Sequence, residues 1–444
     1  MMRWTFVFLG LLAGLAAAPY GATEETAARR GQKALLGKSY NPATMTQGAY
    51  DNAWKHWGLP ARPAAKDYDR LFRERYGLHP APYPNGGLPM GVRYAPNVFG
   101  FKGISTDCLV CHGGSILGKS YVGLGNTALD FETFFEEMNA TYPRKARPGF
   151  HFSNVRGTTE AGAFAVFLLG FREPDLSVRL KPINLGLQDD LCEDVPAWWL
   201  LKKKKTMYYT GGGDQRSVRS LMQFMMTPLN FPSAFHKAEK DFKDIRAYLL
   251  SVEPPRYPLP IDRKQAAAGE QLFKQTCSRC HGTYGAQWTY PNRIVPIKQI
   301  GTDRRRFDGL SRKFGEYYNK SWFGQEYKAI ENDGYQAPPL DGVWATAPYL
   351  HNGSVPTVYH VLNSKARPKI FTRSYRTDLE AYDPRKLGWK VKVLDRAPDQ
   401  TKPGIDRRRV YDTTQSGRGN GGHTYGDRLT EEERMAVIEY LKTL

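Results

Sequence analysis

The sequence predicts a mainly α protein: two similar units in tandem, with long loops and few short strands. Three observations lead there. The pattern Cys-x-x-Cys-His occurs twice, at 108–112 and 277–281, each time followed by Gly, and it uses four of the chain's five cysteines. A proline-rich stretch from Val252 to Asp262, with Pro254, Pro255, Pro258 and Pro260, breaks any helix between the two copies. Each half then ends in a stretch of helical period, 241–252 with Ile245, Tyr248 and Leu249 on one face, and 431–444 with Val437, Tyr440, Leu441 and Leu444 on one face. The expected units are residues 23–253 and 254–444, behind an N-terminal leader at 1–22.

In chain order, Met1 to Arg3 is short and basic, and Trp4 to Ala18 is apolar, the dimensions of a secretory signal. It is too short to cross a bilayer comfortably. Small residues at Ala16–Ala18 and near Ala22 offer cleavage positions, and no later stretch is apolar enough to span. The mature chain is therefore expected to be exported, periplasmic or secreted.

The first motif follows. Two thiols three residues apart with an adjacent His suit covalent attachment of haem c: the thiols add to the porphyrin vinyl groups and the His ligates the iron. A redox dithiol has no need of the His, and a zinc site would require both motifs to converge on one ion. Haem c is attached outside the cytoplasm, so the leader favours the haem reading. Cys108, Cys111, Cys277 and Cys280 are the expected attachment points, and His112 and His281 the proximal ligands. The fifth cysteine, Cys192, reads as a buried free thiol.

After each motif comes a related loop. Pro196 is followed thirteen residues later by Tyr209 and fifteen later by Gly211; Pro338 is followed at the same spacings by His351 and Gly353. Both copies lie between a motif and a closing helix, which points to tandem duplication. In the second half, 264–277 runs as a helix into the motif with Gly269, Leu272 and Phe273 near one face, and Thr430 with Glu433 forms a capping box that opens the last helix. A leading helix, a haem motif and a closing helix packed together is the plan of a small cytochrome-c-like unit.

Function turns on the sixth ligands, because an iron held on both sides moves electrons, whereas one with a free face can react with small oxidants. In the second half the loop before the last helix holds His423, beside Gly421 and Gly422, which let the backbone come close. His360 is the alternative. In the first half Met225, Met226 and His236 are candidates; the methionines sit in an apolar helical stretch with Leu221, Met222 and Phe224, and His236 on a polar helix face.

The stretch from Ala337 to Gly353, Ala-Pro-Pro-Leu-Asp-Gly-Val-Trp-Ala-Thr-Ala-Pro-Tyr-Leu-His-Asn-Gly, resembles the signature of the bacterial dihaem cytochrome c peroxidase superfamily. It is more similar to the dihaem rubber oxygenase branch, a likeness that also takes in 282–285, 290–293, Arg367-Pro-Lys, Tyr382-Asp-Pro and 422–426. The resemblance implies His423 as the sixth ligand of haem 2, and an open haem 1 with Tyr208, Tyr209 and Phe224 lining its distal pocket. It also implies an oxidoreductase that uses dioxygen or peroxide at haem 1 and electrons from haem 2. In the peroxidases a calcium ion is held through backbone oxygens where Thr346-Ala-Pro348 would lie between the haems, so calcium is a candidate cofactor that carbonyl oxygens cannot reveal in sequence. A purely electron-transfer dihaem cytochrome is the alternative. Between Asp194 and Phe224 no His or Glu stands, which favours an apolar pocket and an unsaturated or aromatic organic substrate over a peroxidase site.

The formal charge of +19 fits acidic redox partners or an anionic envelope surface, and export argues against nucleic acid. The basic runs Lys202–Lys205 and Arg304–Arg306 are local candidates for such contacts. Trp198, Trp199 and Trp288 are candidates for the space between the porphyrins.

Overall fold

The computed structural model describes residues 25–139 and 150–444. The leader at 1–22 lies outside the described residues. Helix is the main regular structure, and the strands are short: six sheets are present among the described residues, five of two strands and one of three. The mainly α expectation with few short strands holds.

Two helix pairs share one construction. Ala27–Gly37 starts at Thr26, whose hydroxyl accepts from the Arg29 N–H, and it packs across Pro232–Ser251, which carries proline in its first turn where a missing N–H costs nothing. At their contact Gly31 has no room for a side chain, since a Cβ there would stand 1.9 Å from the Asp244 carbonyl oxygen. The adjacent Arg30 clamps the Asp244 carboxylate with two bonds of 2.8 and 2.9 Å.

The second pair is Arg263–Thr276 with Glu431–Leu441. Asp262 caps the former by accepting from the Lys264 and Gln265 N–H groups, both at 3.0 Å. Thr430 and Glu433 close the expected capping box on the latter, whose three N-terminal glutamates suit the positive end of the helix dipole. Here Gly269 makes the close approach, and a Cβ would stand 1.9 Å from the Ala436 carbonyl oxygen. Ile245, Leu249, Phe273, Val437, Tyr440 and Leu441 are buried, as their period predicts.

The first pair differs from the sequence reading in two ways. Its closing helix begins at Pro232 rather than near Asp241. Its leading helix lies far upstream, with the segment 38–107 between it and the first motif. That segment holds a helix, Ala65–Tyr76, and a hairpin, Val92–Pro96 with Lys102–Thr106, around an aromatic core of Tyr68, Phe72, Tyr76 and Phe134.

The chain from 252 to 262 is irregular, as its prolines require. Two cores cross that break. One joins Phe235, Phe242 and Ile245 to Trp322 and Phe323; the other joins Phe273, Trp344 and Val437 to Ile116, Leu124 and Trp199. Cys192 is the expected buried free thiol, enclosed by Thr158, Asn352 and Tyr411, and burial pushes it up to about 12.

The basic runs are largely paired with acidic side chains, although Lys205 and Arg304 are exposed. Lys203 pairs with Asp341 at 2.7 Å, Arg304 with Asp308 at 2.6 Å, and Arg306 is buried against Glu193. Part of their charge is thus answered by neighbouring carboxylates.

Candidate functional site

The motifs form one-turn helices, Leu109–His112 and Ser278–His281, and their four thiols and two imidazoles line one cavity of about 1190 Å³. That is above the roughly 300–1,000 Å³ of an ordinary small-molecule pocket. Phe131, Phe152, Phe164, Leu168, Phe242 and Val437 contribute to its largely apolar wall. None of the four motif cysteines is paired in a disulfide.

His281 is fixed by its Nδ1, which donates to the Pro338 carbonyl at 2.8 Å. A carbonyl only accepts, so the proton sits on Nδ1 and Nε2 keeps its lone pair for a metal. The Pro196 carbonyl faces His112 in the same way, although the hydrogen bond is not closed and Nδ1 stays unpaired. Burial holds His112 at about 4, so the ring is neutral near pH 7.

Pro196 and Pro338 are corresponding positions of the repeated loop, and further correspondences follow. Gly211 and Gly353 both take the left-handed conformation, with φ of 66° and 69°, where a side chain would be strained. Tyr209 and His351 meet edge to face, with ring centroids 6.2 Å apart.

Opposite His281 stands His423, its ring centroid 6.2 Å away. Two imidazoles on either side of one metal, each bonded at roughly 2 Å, would place their ring centres about 6 Å apart. The His423 loop is tightly held. Gly422 packs on Gly301, the His423 N–H donates to the Ile300 carbonyl at 2.8 Å, and Arg367 donates to the Asn420, Gly422 and His423 carbonyls. Nδ1 of His423 is buried without a partner, and burial, with the neighbouring His281, lowers the ring to about 4. His360, the alternative, is turned away from the cavity, its Nδ1 bonded to the Thr357 hydroxyl at 2.8 Å.

The candidate ligands of the first half lie elsewhere. Met225 and Met226 are each 1 % exposed within the apolar core, and the 3₁₀ turn Gln223–Met226 follows a helix that ends at Leu221. His236 is exposed on the Pro232–Ser251 helix, edge-on to Trp322.

Tyr208, Tyr209 and Phe224 all line the cavity, but they do different things. The tyrosines sit in the loop of a small hairpin, Thr206–Met207 with Gly213–Asp214. The Tyr208 hydroxyl accepts from the Gln223 amide at 3.0 Å. The Tyr209 hydroxyl donates to Asp194 Oδ2 at 3.3 Å, which turns it toward the boundary with the second loop. Phe224 packs on Phe242.

Three further polar side chains on the wall were not given a site role from sequence. Asp194 is buried with Oδ1 unpaired, and burial raises its carboxyl well above the usual range. His351 stacks on Tyr335 at 4.2 Å, has Nε2 unpaired, and is lowered to about 3 by burial. Lys204 is lowered to about 8 by burial. The repeat spacing marked His351 as a landmark, and Asp194 stands two residues before Pro196; only folding brings them into one cavity.

Trp198 lines the cavity and stacks on His112 at 4.9 Å. Trp199 is core, donating to the Asp341 carbonyl at 2.8 Å, and Trp288 is 49 % exposed beneath Lys203, away from the wall. Thr346 and Pro348 line the cavity, and no cluster of three or more His, Cys, Asp or Glu suited to a metal is present among the described residues. Paired thiols, imidazoles with a free nitrogen, an unpaired His423 and a large apolar volume form a donor set that fits haem c.

Residues 334–372 match the family model described as RoxA-like, cytochrome c-like. The chain is 32% identical over 246 residues to the uncharacterized protein y4iM of Sinorhizobium fredii, a match spanning 44% of this chain and 52% of that protein. It is 30% identical over 276 residues to the uncharacterized protein y4iJ of the same organism, spanning 47% of this chain and 43% of that protein. The matched part is thus about half the length of these relatives. A RoxA-like cytochrome c domain is consistent with a haem-containing oxidoreductase and implies covalently bound haem c.

Proposed function

We propose that this chain is an exported dihaem c-type oxidoreductase built of two tandem cytochrome-like units. In this reading the haem at His112 keeps a free face for dioxygen or peroxide, and the haem at His281 and His423 passes electrons. The observation that carries it is the asymmetry between the two motifs: His423 stands opposite His281, while Met225, Met226 and His236 all lie off the cavity. When bound, the two groups supply electron transfer at an iron with two protein ligands and reaction of a small oxidant at an iron with one.

The chain's own residues then have distinct tasks. Cys108, Cys111, Cys277 and Cys280 tether the porphyrins, and Pro338 orients His281. The phenylalanines of the wall exclude water and leave room for an apolar organic substrate. Asp194 and Tyr209 place a protic pair on the wall, a feature that suits peroxide chemistry better than the sequence alone suggested, so both oxidants belong to the reading. A redox partner or a small organic molecule is the expected substrate side, with no role for nucleic acid, and backbone oxygens at Thr346 and Pro348 are the place for calcium if it is required.

Low-temperature EPR of the purified protein, before and after cyanide, tests this. One low-spin signal that cyanide leaves alone and one signal that it converts are expected. Two low-spin signals, both indifferent to cyanide, would instead establish a pure electron carrier.

A further inference from the structure

The hairpin Val92–Pro96 with Lys102–Thr106 ends in a tip, 97–101, that is closed by hydrogen bonds and apolar. Asn97 frames it: its N–H donates to the Phe101 carbonyl at 2.8 Å, its carbonyl accepts from Gly100 at 2.9 Å, and its Oδ1 accepts from the Phe99 and Phe101 N–H groups at 2.9 and 3.0 Å. Gly100 takes φ of 84° to complete the turn. On this frame Val98, Phe99 and Phe101 are 50%, 79% and 71% exposed. Turns of this kind are ordinarily polar, and a fixed loop that holds two aromatic rings in water gains nothing from them in the isolated molecule.

A second exposed pair is connected to the tip through hydrogen bonds. Leu180 is 99% and Phe231 70% exposed. Their loops are tied together by Arg172, which donates to the Leu176 and Asn230 carbonyls at 2.7 and 2.8 Å. The Asn230 amide in turn donates to Asn41 Oδ1 at 2.8 Å, and the Ala43 N–H donates to the Pro96 carbonyl, at the base of the tip, at 2.9 Å. One short segment, 41–44, therefore links both apolar features, and its Asn41 and Thr44 also form part of the cavity wall. Lys102 at the neck of the hairpin, and Lys181 and Lys237 beside the second pair, are exposed.

We propose that this hairpin tip is a membrane-contact surface, in which Phe99 and Phe101 enter the interfacial layer of an anionic lipid bilayer. The occupant follows from charge as well as apolarity. Two rings alone bind a bilayer weakly, and a basic protein of net charge +19 adds the electrostatic attraction that makes such contacts effective on anionic lipid. No helix among the described residues is long and apolar enough to cross a membrane, so the contact is peripheral. It does not depend on which oxidant the cavity uses.

Sedimentation of the full holoprotein with vesicles tests this, comparing phosphatidylglycerol–phosphatidylethanolamine with phosphatidylcholine alone. The wild type is expected to bind the anionic vesicles and to release as salt rises. Phe99→Ser with Phe101→Ser should lower vesicle affinity about tenfold or more while leaving the melting temperature unchanged, because neither ring packs in the core. Leu180→Ser with Phe231→Ser should weaken it further. A wild type that ignores both vesicles overturns the proposal, as does a double variant that binds like the wild type, which would mean adsorption by charge alone. Concentration-dependent self-association that the Phe variants abolish, in the absence of lipid, would assign the tip to a second copy and overturn the proposal equally.

Discussion

His423 shows how much a single residue can be read in advance and where that reading ends. The two glycines before it signalled a close backbone approach, and the structure supplies the reason: Gly422 leaves no space for a Cβ against Gly301. His423→Ala is expected to retain full haem content, since attachment rests on the cysteines, while the low-spin signal of the second haem becomes high-spin; an unchanged EPR spectrum would return the role to His360. Asp194 carried no signal of its own in the sequence, because burial and a neighbour fifteen residues away cannot be seen in local pattern. Its carboxyl is raised by burial, so ionising it costs folded-state stability, a cost absent at low pH and growing as pH rises above the unfolded value of about 4. Asp194→Asn, which keeps an acceptor for Tyr209, is therefore expected to raise the melting temperature more at pH 8 than at pH 5. Equal shifts at both values would mean that the group is ionised in the folded protein.

At the scale of elements, closing helices and caps were legible because amphipathic period and capping residues are local signals. The leading helix of the first half was not, since the segment 38–107 separates it from its motif and its partner helix lies some two hundred residues downstream. The pairing of the basic runs was partly legible, since Asp308 stands four residues from Arg304, whereas Glu193 and Asp341 meet Arg306 and Lys203 only through the fold. Glycine chemistry separates the two helix contacts from ordinary surface. Gly269→Ala adds a methyl where the Ala436 carbonyl already stands, so a loss of about 1–3 kcal/mol is expected despite the better helix propensity of Ala. Gly315→Ala, in the helix Arg312–Lys320 with nothing within 4 Å, should gain up to about 1 kcal/mol. Chemical denaturation of both variants checks the pair, and equal effects would show that the helices in the first case do not touch through Gly269.

For the whole molecule, two motifs, two related loops and two closing helices raise the expectation of a tandem plan. The shared cavity was not legible, because it arises from cores that cross the proline-rich break, with Trp322 and Phe323 packing into the first half and Leu124 and Trp199 into the second. The same crossing brings Tyr209 against His351 and sets all six motif side chains around one space. The central claim is that this space holds two covalently attached haems in one chain. Intact mass spectrometry of the protein purified from a host that matures c-type cytochromes measures it directly, under denaturing conditions that strip any group not covalently bound. The account predicts a mass equal to the processed chain plus two haems, falling to one haem when Cys108 and Cys111 are both replaced by Ala. A wild-type mass with one haem or none would contradict it.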